Sequence, residues 1–218
     1  DRTNKKLIQA GVEKVTSETC FPCKVAHGHV MNLLDKNVEY LLMPRVIKMK
    51  RNQGFEQSYT CPYVQSITDS IRAAIDPEAR GLKLIQPVIY FDRGRKHVEK
   101  VLLKTARELG VDASTAKAAI EAAHVALDGF YAALQRRGAE VLAGLTAEDR
   151  AVVVISRPYN GFDPGVNLNL PRKLRELGVL PIPMDFLPLD SVDMQAEWGH
   201  MYWRYGQKIL SAARLVAN

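Results

Sequence analysis

The first apolar positions of the chain, Leu7, Ile8, Val12 and Val15, recur at the spacing of one helix face across residues 4–15. The chain therefore opens on a helix with no strand before it. In an α/β fold such a helix ordinarily follows a strand, so the sequence is expected to be cut from a longer protein. Residues 24–34 repeat the pattern, with Val25, Val30, Leu33 and Leu34 on the inward side. Residues 38–43 form a short, nearly unbroken apolar run closed by Pro44, the pattern of a strand covered on both faces. Residues 45–58 are polar and basic and contain Gly54, which reads as a loop. A helix over 63–75 and a strand over 87–91 follow.

Two helical stretches, 93–110 and 113–137, come next, the second capped by Asp112 or Ser114. Alanines at 116, 118, 119, 122, 123, 126, 132 and 133 predict close packing of that helix against a neighbour. Residues 151–156, Ala-Val-Val-Val-Ile-Ser, are the clearest buried strand. The segment 157–165 is rich in turn formers and reads as a loop. A helix over 170–177 ends at Gly178, a strand covers 179–184, and a last helix runs from about 199 to 216. Strand, loop, helix, strand is the βαβ unit of a parallel sheet.

The predicted class is α/β, with Rossmann-like or flavodoxin-like parallel-sheet lobes and a helical connecting segment. Residues 1–92 would be a cysteine-bearing lobe truncated at its start. Residues 93–150 would be the helical segment, and 151–218 the βαβ part of a second lobe truncated at its end.

Composition changes this picture little. The chain has 218 residues, 47% apolar and 25% charged, which suits one large domain or two small ones. No apolar run approaches the roughly 20 residues of a membrane helix. The start has no signal-peptide core, so the expected location is cytoplasmic and no membrane partner is expected. The net charge is +6. Its clusters, Arg45, Lys48, Lys50 and Arg51, then Arg93, Arg95 and Lys96, do not alternate with aromatics. A solvated basic face is the first reading, an acidic partner such as a CoA phosphate the second, and nucleic acid is not expected.

The candidate chemistry lies in three cysteines, an odd and sparse number for a disulfide framework. Cys20-Phe21-Pro22-Cys23 and Cys61-Pro62 are both cysteine turns in which a proline opens a helix. Thiolates and imidazoles ligate zinc and iron–sulfur clusters. A zinc site would use Cys20, Cys23, Cys61 and His27 or His29, but the second compact knuckle of zinc modules is missing. A Cys20/Cys23 dithiol would have its thiol pKa lowered by the helix, yet no strand precedes it. An iron–sulfur cluster on Cys20 and Cys61 would place each thiolate at a helix N-terminus, where amides and dipole favour negative charge. The plainer alternative is that the cysteines are small buried hydrophobes. For His27 and His29, on either side of Gly28, local structural hydrogen bonding is preferred. His97, His124 and His200 stand alone on expected helices, as surface or core-edge residues.

The stretches from Glu18 to His29, from Ser58 to Gln65 and from Ser156 to Asn167 resemble the 2-hydroxyacyl-CoA dehydratase-related proteins. The branch they most resemble is the activase-related one, in which a sugar-kinase-like ATPase is fused to a dehydratase-like region. That resemblance implies α/β lobes with a 4Fe-4S cluster, or a double-cubane cluster, between them, held by three cysteines per subunit. It also implies an ATP-dependent activase that delivers one low-potential electron; in the dehydratases this makes a ketyl radical from an acyl-CoA thioester. Carried over, Cys20 and Cys61 match the two N-terminal cluster cysteines. The third, expected in a downstream Cys-Gly-Pro turn, has no match here, and Cys23 is a lesser substitute. The cluster therefore belongs to the parent protein and is expected to be absent or incomplete in this fragment. Expected partners are the activase domain or protein, with an acyl-CoA and a second copy of the chain as candidates.

Arg157, Tyr159 and Asn160 follow the strongest predicted strand, and Asp163 and Asn167 open the next helix. Ligands of open α/β sheets bind beyond the carboxyl ends of strands. Arg157, Tyr159, Asn160 and Asp163 are the second candidate site, for cofactor or substrate. The alternative is a rigid turn, and both can hold together.

Overall fold

The computed structural model describes residues 1–52 and 54–217. Helix α1 (Lys5–Lys14) starts at Asn4, whose side chain accepts a hydrogen bond from the Leu7 amide at 3.1 Å. Helix α2 (Phe21–Leu34) packs across it so tightly that the backbones touch. A Cβ on Gly28 would lie 1.9 Å from the Leu7 carbonyl oxygen, and one on Gly11 1.9 Å from that of Lys24. Only glycine fits at this crossing.

Strands β1 (Tyr40–Leu42) and β2 (Arg45–Lys48) pair in parallel with β3 (Lys83–Ile85) and β4 (Val88–Tyr90) respectively. The two pairs share one register: Tyr40 faces Lys83, Leu42 faces Ile85 and Arg45 faces Val88. Hydrogen bonds from Met43 to Ile85 and from Arg45 to Pro87, both 2.9 Å, continue the ladder between them. It is one parallel ribbon, interrupted where Pro44 and Pro87 have no N–H to give. Helix α3 (Pro62–Ile75) connects its two sides. Val30, Leu41, Ile71, Ile75 and Leu82 form the core between α2, α3 and the ribbon. Full burial of each such side chain is worth about 1.5–3 kcal/mol.

Helices α4 (Arg95–Glu108) and α5 (Ala113–Ala143) form an antiparallel hairpin. Of the two expected caps it is Asp112 that serves, accepting from the Ser114 and Thr115 amides at 2.9 and 3.0 Å. The Ser114 and Thr115 hydroxyls and amides hold its carboxyl well below the usual carboxylate range. A carboxyl depressed in the folded state stabilises above its unfolded value of about 3.9, and that stability is lost as the pH falls below it. Asp112→Ala is therefore expected to lower the melting temperature at pH 7, with a gap that narrows as thermal melts are taken to lower pH.

Strand β5 (Ala151–Val154) pairs in parallel with β6 (Leu180–Pro183) through α6 (Pro158–Phe162) and α7 (Leu170–Glu176). A second core of Met184, Leu187, Leu189 and Ala212 gathers against this unit. Helices α8 (Gln195–Trp198) and α9 (Arg204–Ala217) complete the chain. The start of α9 is tied to the first half: Tyr202 stacks on Tyr59 at 4.4 Å and Arg204 donates to Asn52 at 2.8 Å.

The α/β class and the parallel pairing agree with the sequence reading. Several details differ. Residues 45–48, expected as loop, are β2, and β3 has no counterpart among the expected strands. β1 is covered on one face only, with Tyr40 and Leu42 half exposed. β5 is likewise partly exposed. Residues 158–162 are a short helix, and the last helix begins at Arg204, leaving His200 in a turn. Of the eight α5 alanines expected to pack closely, only Ala116 is fully buried; most of the others meet solvent.

Candidate functional site at the cysteine turns

Topology brings the two cysteine turns together. Helices α2 and α3 each lead into one arm of a ribbon whose arms are parallel, so the two helices run the same way. Their N-termini lie at the end where β2 finishes, the ligand-binding end of parallel sheets. His27, fully buried on α2, ties them: its Nδ1 lies 2.7 Å from the Cys23 carbonyl oxygen and its Nε2 3.3 Å from Ser70 Oγ on α3. On the ribbon side, Arg45 donates to Thr68 and Asp69 of α3.

Cys20 and Cys61 are both N-caps, each followed within two residues by proline. Their backbones match, with φ and ψ of −64° and 147° at Cys20 and −57° and 140° at Cys61. Each carbonyl accepts from the third and fourth amides downstream, at 2.9–3.3 Å. Neither side chain makes a capping bond, so both thiols are left for other partners. Arg157 is a third turn of the same kind, with φ and ψ of −71° and 154°, Pro158 behind it and its carbonyl bonded to Asn160 and Gly161. The sequence carries this signal as a third residue-before-proline turn, with arginine in place of cysteine.

Cys20 is exposed, Cys61 half-buried and Cys23 buried. The Cys20 and Cys23 sulfurs are 3.3 Å apart. Burial, and then the adjoining Cys20 thiol, push the Cys23 thiol up to about 12; Thr19 opposes this and Cys61 adds to it. Cys23 thus stays protonated at neutral pH. Burial alone would lower the Arg157 guanidinium, but the neighbouring Cys61 sulfur and Tyr159 hydroxyl hold its proton and raise it overall. The fold therefore brings the 157–159 turn against Cys61, joining two candidate sites that are separate in the sequence.

The other candidates of that loop do different work. Asn160 is exposed on α6. Asp163 accepts from the Thr3 hydroxyl at 2.6 Å and from the Gly165 amide at 2.9 Å, and Thr3 Oγ1 lies 3.0 Å from His29 Nε2. Asp163 thus staples its loop to the start of α1, a role no local pattern signals because Thr3 is 160 positions away. Both His27 and His29 are in structural hydrogen bonds, as preferred from the sequence.

The donor set suits soft-metal chemistry, since it offers thiols at helix N-termini beside a guanidinium. Among the described residues, no set of three or more His, Cys, Asp or Glu side chains is placed to hold a metal ion. No described helix is long and apolar enough to cross a membrane.

No curated protein and no solved structure matches the chain. The family model described as the CoA enzyme activase uncharacterised domain matches residues 1–187, which spans both cysteine turns, the Arg157 turn and every strand. The chain belongs to that CoA enzyme activase domain family.

Proposed function

We propose that this domain is the cysteine-bearing, dehydratase-like part of an activase-related protein, with Cys20 and Cys61 as ligands of an iron–sulfur cluster. The observation that carries the reading is the trio of matched proline turns. Two present uncapped thiols and the third presents Arg157 against one of them. Thiolate ligands are anionic, and both the helix N-termini and Arg157 favour anionic sulfur there. Bound at these turns, a 4Fe-4S cluster would supply a one-electron, low-potential redox centre. Tyr159 neighbours the guanidinium, and Cys23 is a buried neutral thiol beside Cys20. A further thiolate would come from outside these residues.

An ATP-dependent activase is the proposed electron donor, and an acyl-CoA the proposed substrate class. Phe21, Tyr63 and Val64, which closely follow the two cysteines in the chain, are exposed and offer apolar surface for a partner that closes over the turns. Metal analysis after anaerobic reconstitution tests the reading. Iron with acid-labile sulfide is expected, whereas one equivalent of zinc without iron would point to a zinc-stabilised scaffold.

The 3.3 Å separation of Cys20 and Cys23 supports a second reading, a dithiol redox pair. The Cys20 thiolate would attack a small-molecule disulfide and expel one thiol. Cys23 would then close the Cys20–Cys23 bond and release the second. Two electrons pass to the oxidant, and the two thiol protons end on the products. Intact mass after mild oxidation, showing a loss of two hydrogens that disappears in Cys23→Ala, is its signature.

A further inference from the structure

Of the side chains buried on α2, Cys23, Val25 and Val30 pack as small hydrophobes, and His27 is the strongly polar one. It stands in a chain of short links between the two cysteine turns. The Cys23 amide donates to the Cys20 carbonyl at 3.0 Å. The His27 Nδ1 lies 2.7 Å from the Cys23 carbonyl oxygen, and its Nε2 lies 3.3 Å from Ser70 Oγ. Ser70 is on α3, the helix that Cys61 caps. A carbonyl oxygen only accepts, so Nδ1 carries the hydrogen. Nε2 is then the acceptor, and the Ser70 hydroxyl donates to it.

Apolar contact is non-directional, so helices packed by it alone can slide or turn on each other. A hydrogen bond weakens steeply once its angle fails. An imidazole bonded at both nitrogens, one on each helix, therefore favours one register of α2 on α3. An aliphatic residue of similar volume would fill the same space and need no partners. Filling the interior is thus no reason for a histidine here, whereas holding a register is. We propose that His27 is a positioning residue, which fixes α2 on α3 so that the Cys20 and Cys61 turns stand at the separation a cluster requires. This inference rests on the cluster reading above. His27 acts through the Cys23 carbonyl and the Ser70 hydroxyl, in the way that outer hydrogen bonds orient the ligands of a metal.

Iron retention in the full-length protein that carries this chain tests it, read as the chelator concentration that removes half the iron after anaerobic reconstitution. The double variant His27→Leu with Ser70→Ala exchanges the polar pair for an apolar one, a change close to neutral for stability. Its apoprotein should melt near the wild type, yet it should release iron at about tenfold less chelator. Ser70→Ala alone should weaken retention as well, and Ser70→Thr, which keeps the hydroxyl, should retain iron as the wild type does. A histidine that only stabilised the fold would let retention follow the melting temperature. Ring-15N NMR of the apoprotein should show His27 protonated at Nδ1; a hydrogen on Nε2 alone would overturn the proposal. Equal iron retention in the loaded wild type and the double variant would overturn it while leaving the cluster reading standing. A wild type that takes up no cluster would overturn both.

Discussion

Gly28→Ala is expected to lower the melting temperature by about 10 °C. The added methyl would stand 1.9 Å from the Leu7 carbonyl oxygen, with the Leu7 carbonyl carbon at 2.8 Å and the Gly11 amide nitrogen at 3.1 Å. All three are backbone atoms, so no side chain can swing aside. The helices must separate by more than an ångström, which also loosens Leu7 and Val25 in the interior. Overpacking ordinarily costs about 1–3 kcal/mol, and a backbone-on-backbone clash belongs at the top of that range. At this chain length about 3 kcal/mol corresponds to roughly 6–12 °C. Gly129→Ala is the matched control. Nothing lies within 4 Å of its would-be Cβ, and it sits in the interior of α5. There alanine should stabilise by about 0.5–1 kcal/mol through helix propensity alone. Thermal melts of the two variants should thus move in opposite directions. Equal and small shifts would mean that α1 and α2 do not cross as described.

How much of the fold is legible in the sequence depends on how local the cause is. The cysteine turns are legible because proline cannot continue a strand and suits a helix start, so Pro22 and Pro62 announce α2 and α3. Asp112 is legible for the same reason, since capping involves only the next three residues. The ribbon is not. Its strands are three or four residues long, broken by Pro44 and Pro87, and β2 carries Arg45 and Lys48, which serve α3 and the Tyr59 ring rather than solvent alone. A basic, discontinuous segment of that kind carries no period-two signal. The Gly11–Gly28 crossing is hidden because it exists only once two helices meet; in the sequence Gly28 merely separates two histidines. In the candidate site, Cys20 and Cys61 stand out by their spacing from proline. The contact of Arg157 with Cys61 requires the folded arrangement of turns nearly a hundred residues apart.

The second large effect concerns the sulfurs. Cys20→Ala and Cys61→Ala should each abolish cluster incorporation while leaving the fold intact. Neither thiol caps its helix or belongs to the cores, so each loss removes a ligand rather than packing. Cys23→Ala should behave differently. Its thiol is buried, and pushed up to about 12, so its removal should leave the cluster bound and abolish only the disulfide of the second reading. This pattern separates the cluster from the dithiol: one depends on Cys20 and Cys61, the other on Cys20 and Cys23. Arg157→Gln keeps the turn and removes the positive charge beside Cys61, and should weaken cluster retention without affecting the melting temperature of the apoprotein.

Electron paramagnetic resonance decides whether Cys20 and Cys61 hold a cluster. The sample is the full-length protein that carries this chain, reconstituted anaerobically with iron and sulfide and then reduced. A reduced-cluster signal is expected in the wild type and in Cys23→Ala, and its loss in Cys20→Ala and in Cys61→Ala. A signal of undiminished intensity in both of the latter would contradict the assignment.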